Sequence, residues 1–157
     1  MKKSKSRLST LFVAVLVAGL LSFSTNIQAQ SVKPVTVQSS KNYEQTLNAI
    51  KKAVSGGGMM VLSQLDQGKI LSMTGLSVNS HSFFIGNPNV GNKAFSADPS
   101  AGLVIPVRVN VYEENGRTYV SYFKPSDLFA SFKSPKVKMI GEMLDKKLGM
   151  MIKMVTR

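Results

Sequence analysis

Alternating apolar and polar positions mark the first strand-like stretch of the chain. Val35 and Val37 alternate with polar neighbours between Val32 and Gln38, which predicts a strand, and Pro34 near its start favours an edge position. The period then changes. Tyr43, Leu47, Ile50 and Val54 recur at spacings of four, three and four, which is one face of a helix. Asn42 precedes this run and Gln45 follows three residues later, the pattern of a capping box. Gly56-Gly57-Gly58 ends it, because glycine accepts the left-handed conformation of a helix C-terminus. Met59–Leu65 and Ser82–Ile85 read as further strands. A short helix is predicted between Gln67 and Thr74, stopped by Gly75.

The strongest local signal is a long hairpin. Asn115-Gly116 supplies the two positive φ angles of a type I′ turn. With these as the loop residues, Glu114 faces Arg117, Tyr112 faces Tyr119 and Val109 faces Tyr122. This register separates two faces. Ile105, Val107, Val109, Val111, Val120 and Tyr122 form a predicted core face. Pro106, Arg108, Asn110, Tyr112, Tyr119, Ser121 and Phe123 form the other. Its mixture of aromatic and polar groups suits a ligand or a partner better than a dry interior.

Ser134 and Pro135 fit the cap and first position of a last helix. Val137, Ile140, Leu144, Leu148, Met151, Ile152 and Val155 make its apolar stripe. The order is strand, helix, four strands, helix. It predicts an α+β fold: a single antiparallel sheet with two main helices on one face and the other face open. No internal repeat or long linker divides residues 30–157, which read as a single domain.

The N-terminus reads differently. Lys2, Lys3, Lys5 and Arg7 precede a mostly apolar run from Leu8 to Phe23, and a polar stretch leads to Ala29. This is the layout of a secretory signal peptide over residues 1–29, cleaved near Ala29, and it predicts a periplasmic or secreted protein. The run falls short of the roughly 20 apolar residues of a stable membrane span. The chain has no Cys, so neither a disulfide framework nor thiolate chemistry is available. Of 20 basic residues four lie in the leader, which leaves 16 against 8 acidic, a net charge of +8. Spread along the chain, without a recognition motif and in an exported protein, this charge does not predict nucleic acid as a partner.

Several groups could carry chemistry. Gly86 to Lys93 reads GNPNVGNK, near a phosphate-binding loop, but Asn92 intervenes before Lys93 and Asp98-Pro99 interrupts the helix such a loop requires. The segment is predicted to be a turn at Asn87-Pro88 with a bend at Gly91, whose amides and Lys93 could hold a carboxylate or phosphate. His81 is the one imidazole, too few nitrogen or sulfur ligands for zinc, and it reads as a strand-end residue. Asp66 ends a strand, either as a cap for the following helix or as a site carboxylate. Arg108 on the non-core face suits a carboxylate ligand, a partner chain or a surface ion pair. Met139, Met143, Met150 and Met154 form a second stripe on the last helix. Thioethers select Cu(I), pack adaptably or, with Lys136, Lys146 and Lys147 beside them, touch a membrane surface.

An ordered set of short motifs resembles the Domain of Unknown Function 302 family over roughly residues 32 to 130. These are Thr46-Leu47 and Gly58, Leu65-Asp66, Gly75-Leu76, Ile85-Gly86-Asn87-Pro88 with Gly91, Ala94-Phe95 before Asp98-Pro99, Leu103 to Val109, and Glu113, Gly116, Val120, Tyr122 and Pro125. The resemblance implies a small α+β domain, often dimeric, with no established reaction. Two positions depart from it. Gln67 stands where many relatives carry His, and Asn92-Lys93-Ala94-Phe95 follows Gly91 where many carry Gly-Thr before Leu-Met.

The expectation is a non-catalytic binding module without a cofactor. It acts through the open sheet face and the Gly-Asn-Pro segment, with Asp66, Asn87, Lys93, Arg108, Tyr112 and Tyr119 as binding residues. Its partner is a small ligand, an envelope protein or a second copy of the chain, with at most peripheral membrane contact. The alternatives are a Cu(I) module on Met139, Met143, Met150 and Met154, and a hydrolase or transferase of unknown substrate.

Overall fold

In a computed structural model of the chain, residues 31–157 are described. The leader predicted over residues 1–29 lies outside them. Five strands form one antiparallel sheet: β1 Val35–Gln38, β2 Met60–Asp66, β3 Ser80–Gly86, β4 Val107–Glu114 and β5 Arg117–Tyr122. Their spatial order is β1-β5-β4-β3-β2, which leaves β1 and β2 at the edges.

The hairpin has the register that the Asn-Gly turn dictates. Glu114 pairs with Arg117, Tyr112 with Tyr119 and Val109 with Tyr122. Asn115 and Gly116 both have positive φ, 52° and 72°, as a type I′ turn requires. The alternation therefore holds: Val107, Val109, Val111, Val120 and Tyr122 are buried.

Two helices cover that face. α1 (Tyr43–Gly56) starts at Asn42, whose side chain accepts from the Gln45 amide while the Gln45 side chain accepts from the Asn42 amide. α1 buries Thr46, Leu47, Ile50 and Val54. It stops where the run of glycines begins, and Gly58 takes φ 66°. α5 (Pro135–Val155) starts at the Ser134 cap with Pro135 at its first position, and its whole predicted stripe is buried. Phe83, Ile50, Leu148 and Ile152 sit at the centre of the core between sheet and helices.

Three further helices fill the connections. α2 (Gln67–Ser72) is the predicted short helix, capped by Asp66 Oδ1 accepting from the Lys69 amide at 2.9 Å. α3 (Pro88–Ala97) corrects the turn expected at Asn87-Pro88. Asn87 is a helix cap whose side-chain oxygen accepts from the amides of Asn89 and Val90, and Pro88 occupies the first position, where its missing N–H costs nothing. A 3₁₀ turn at Pro99–Leu103 follows, capped by Asp98. α4 (Pro125–Phe129) docks on α5, where Gly141 leaves only enough room for the Ser126 backbone and Ser126 bonds to Asp145. No helix among the described residues is long and apolar enough to cross a membrane.

Candidate functional site

The face of the sheet away from α1 and α5 carries its side chains in rows. Phe84 on β3 lies opposite Arg108 on β4, and Phe123 follows β5 on the same face by alternation. The next row holds Ser82, Asn110, Ser121 and Thr36. The third holds Ser80, Tyr112, Tyr119 and Gln38. Arg108 is exposed, and Phe123 is 43% exposed beside it.

Arg108 is aimed by a polar cluster beneath it. Its Nε donates to Ser82 Oγ at 2.9 Å, and Ser82 is fully buried. Ser82 in turn lies 3.0 Å from Asn110 Oδ1 and 3.2 Å from Gln67 Oε1. Ser80 Oγ reaches the same two oxygens at 3.4 and 3.2 Å. Each hydroxyl has one proton, so two protons serve two amide oxygens and the cluster is satisfied internally. Through Nε the guanidinium is held at one point, and its two terminal amino groups have no hydrogen-bond partner among the described residues. Gln67, where the resemblance implies His in many relatives, is a structural member of this cluster.

At the end of the sheet, where β3 stops and β4 starts, is a pocket of about 150 Å³. This volume is close to the roughly 150 Å³ of an apolar cavity that holds one benzene molecule. Ile85, Val107 and Leu144 line its core side, Pro88, Val90 and Phe95 come from α3, and Leu62, Gly86 and Pro106 come from the open face. A bulge in β2 between Val61 and Ser63 places Leu62 there. A side chain at Gly86 would collide with Leu62, since a Cβ built on it falls 2.8 Å from Leu62 Cδ1 and 3.6 Å from Pro106 Cβ. Glycine therefore keeps the mouth open. Pro106 and Arg108 are two residues apart on one strand face, about 6.8 Å. Arg108 is not part of the lining, and its Nε is bonded to Ser82, one row further from the pocket than Arg108 itself.

The six residues predicted for binding divide among three places. Arg108, Tyr112 and Tyr119 share the open face, but Tyr112 lies four residues from Arg108, about 14 Å along the strand. It stacks on Tyr119 at 5.4 Å and 23°, a cross-strand pair that explains itself by packing. Asn87 lines the pocket, but its side-chain oxygen is taken by the α3 amides and its Nδ2 donates to Gly58 O at 2.8 Å. Those two amides are therefore engaged by Asn87 and not free for an anion. Lys93 is exposed in mid-α3.

Asp66 lies on the helix-covered side of the sheet, opposite His81. In that corner burial pushes the Tyr43 hydroxyl up to about 12, assisted by the charges of Asp66, Glu44 and Glu113. Burial likewise lowers the His81 pKa, and its Nε2 has no hydrogen-bond partner. A neutral imidazole whose ring lies 4.8 Å from Phe83 fits a half-buried packing residue. No group of three or more His, Asp or Glu side chains among the described residues could hold a metal ion. The four methionines proposed for Cu(I) span Met139 to Met154, about 22 Å of helix, so they cannot meet on one ion.

Sequence reasoning missed the pocket. Its signals were a glycine ending β3 and an unpaired residue in β2, and neither reveals a cavity until α3 is known to be a helix.

Comparison with known proteins agrees with the fold. The sequence model of the family described as Domain of unknown function DUF302 matches residues 35–155. The crystal structure of an uncharacterised conserved DUF302 protein from Bacillus stearothermophilus is similar, with a TM-score of 0.73 at 24% identity, covering 79% of this chain and 98% of that one. No curated protein matches.

Proposed function

The chain belongs to the DUF302 family, and from that premise we propose that it is a non-catalytic module binding a small carboxylate with an apolar ring or branch. The apolar part fills the hollow between α3 and the ends of β3 and β4, and Arg108 takes the carboxylate through its terminal amino groups. One observation supports this above all: an almost wholly apolar pocket ends at Pro106, two residues before exposed Arg108, whose Nε is anchored to buried Ser82. Pockets of this type use apolar walls for affinity and a few polar groups for orientation. The protein works outside the cytoplasm, with residues 1–29 removed, as the basic start and apolar run favour. Phenylacetate tests the site. Titrated into the protein and followed by amide chemical shifts, it moves Leu62, Gly86, Val90 and Arg108 first. Shifts centred on Tyr112 and Tyr119 or on Asp66 would contradict the site.

The β2 edge favours a second, compatible role in self-association. Among the described residues, seven of the fourteen exposed large apolar ones fall between Met60 and Val78, on that edge strand, α2 and the loop after it. An unpaired apolar edge is a template for pairing. Sedimentation velocity of the native chain against Leu65→Glu and Ile70→Glu decides it. A monomer in both cases removes the role.

A further inference from the structure

A second pocket lies in the helix layer, between the C-terminal ends of α1 and α5. Its volume is about 450 Å³, within the roughly 300–1,000 Å³ of small-molecule sites. Met59 and Met151 make its floor, 7% and 2% exposed. Met150 and Met154 make its rim, each 62% exposed. Lys147, Lys153 and Arg157 stand around it, and no Asp or Glu side chain lines it. At about 100° per residue, Met150 and Met154 lie between Lys147 on one side of α5 and Lys153 on the other.

We propose that this pocket binds one phosphate-bearing amphiphile, with its alkyl chain on the methionines and its phosphate among Lys147, Lys153 and Arg157. Thioether side chains have three rotatable bonds and adapt to an apolar chain of no fixed shape. Lysine and arginine lay their stems along apolar surface and keep their charges in water, so chain and charge are received at different depths. Three cations with no acidic side chain in the lining favour a doubly charged phosphate over a carboxylate and repel Cu(I). The buried floor is out of reach of a flat bilayer surface, which favours a single molecule taken into the pocket. The site stands apart from Arg108 and does not rest on the carboxylate reading.

Calorimetric titration of the full chain with dodecyl phosphate, kept below micelle formation, tests the proposal. One molecule binds per chain. Lys147→Glu with Lys153→Glu weakens binding at least tenfold, and so does Met150→Ser with Met154→Ser, whose side chains are exposed enough to leave the fold intact. Arg108→Gln changes it less than twofold, as does reversal of Lys33 and Lys69 elsewhere on the surface. Dodecanol and inorganic phosphate each bind at least tenfold more weakly. An equal loss from the Lys33 and Lys69 reversal would reduce the effect to general charge attraction and overturn the site. Inorganic phosphate binding as tightly as dodecyl phosphate would overturn the role of the chain. Attachment to phosphatidylglycerol vesicles without uptake of monomeric dodecyl phosphate would assign the surface to a bilayer and overturn the pocket.

Discussion

Arg108 and Ser82 are joined across neighbouring strands: the guanidinium Nε donates at 2.9 Å to a hydroxyl with no solvent exposure. That bond links an exposed charge to the interior. It also makes Ser82 the centre of a cluster in which the Asn110 and Gln67 oxygens are served by its proton and that of Ser80. Replacement of Ser82 by Ala leaves two amide oxygens with one hydroxyl donor and releases Arg108. We expect a loss of roughly 1–2 kcal/mol in urea unfolding, the cost of leaving one half-buried acceptor unpaired. Unchanged stability would mean that water satisfies the cluster and that Arg108 is not held.

Two glycines on the same side of the sheet should respond to Ala in opposite ways. At Gly86 the added methyl meets the tip of Leu62, which is half exposed and can turn away. Stability then changes by less than about 1 kcal/mol, while the methyl fills the pocket mouth and weakens ligand binding about tenfold. At Gly68 the methyl meets the backbone carbonyl of Val78, which cannot turn away. Gly68→Ala should cost roughly 1–3 kcal/mol in thermal or urea unfolding. Equal stability losses at both positions would contradict the described opening at Gly86.

The fold was legible in the sequence where side-chain period and turn chemistry agree. Asn115-Gly116 sets the hairpin register, and Asn42 with Gln45 sets the start of α1. Asn87-Pro88 was harder, because Asn before Pro opens both turns and helices. Only the two amide bonds to Asn87 distinguish the helix. The candidate site was legible by halves. Arg108 follows from alternation along β4, whereas the hollow beside it depends on α3 and the β2 bulge. Asp66 ends a strand and reads as either a helix cap or a site carboxylate, and in the structure its Oδ1 caps α2. Grouping it with Arg108 required knowing the register of β2, which the bulge shifts.

His81 gives the protein a stability that depends on pH. Burial lowers its pKa below the usual 6.5, and Lys51 acts in the same direction, while Asp66 and Glu44 oppose them. The unfolded chain therefore takes up the proton more readily than the folded one. The contribution is complete above pH 6.5 and is lost as pH falls through that value toward the folded pKa. Melting temperature should drop on acidification from pH 7.5 to about 5.5, and His81→Gln should flatten that part of the profile. A variant with the native slope would place the titration elsewhere.

The most direct test of the carboxylate site compares two probes of nearly equal shape on two proteins. Phenylacetate carries the charge that the proposed site assigns to Arg108, and phenylacetamide does not. Calorimetry on the native chain should give phenylacetate at least a tenfold advantage, and Arg108→Gln should reduce that advantage to near unity while phenylacetamide binds as before. A preference for phenylacetate that survives Arg108→Gln, or a native chain that binds neither probe, would contradict the proposed site.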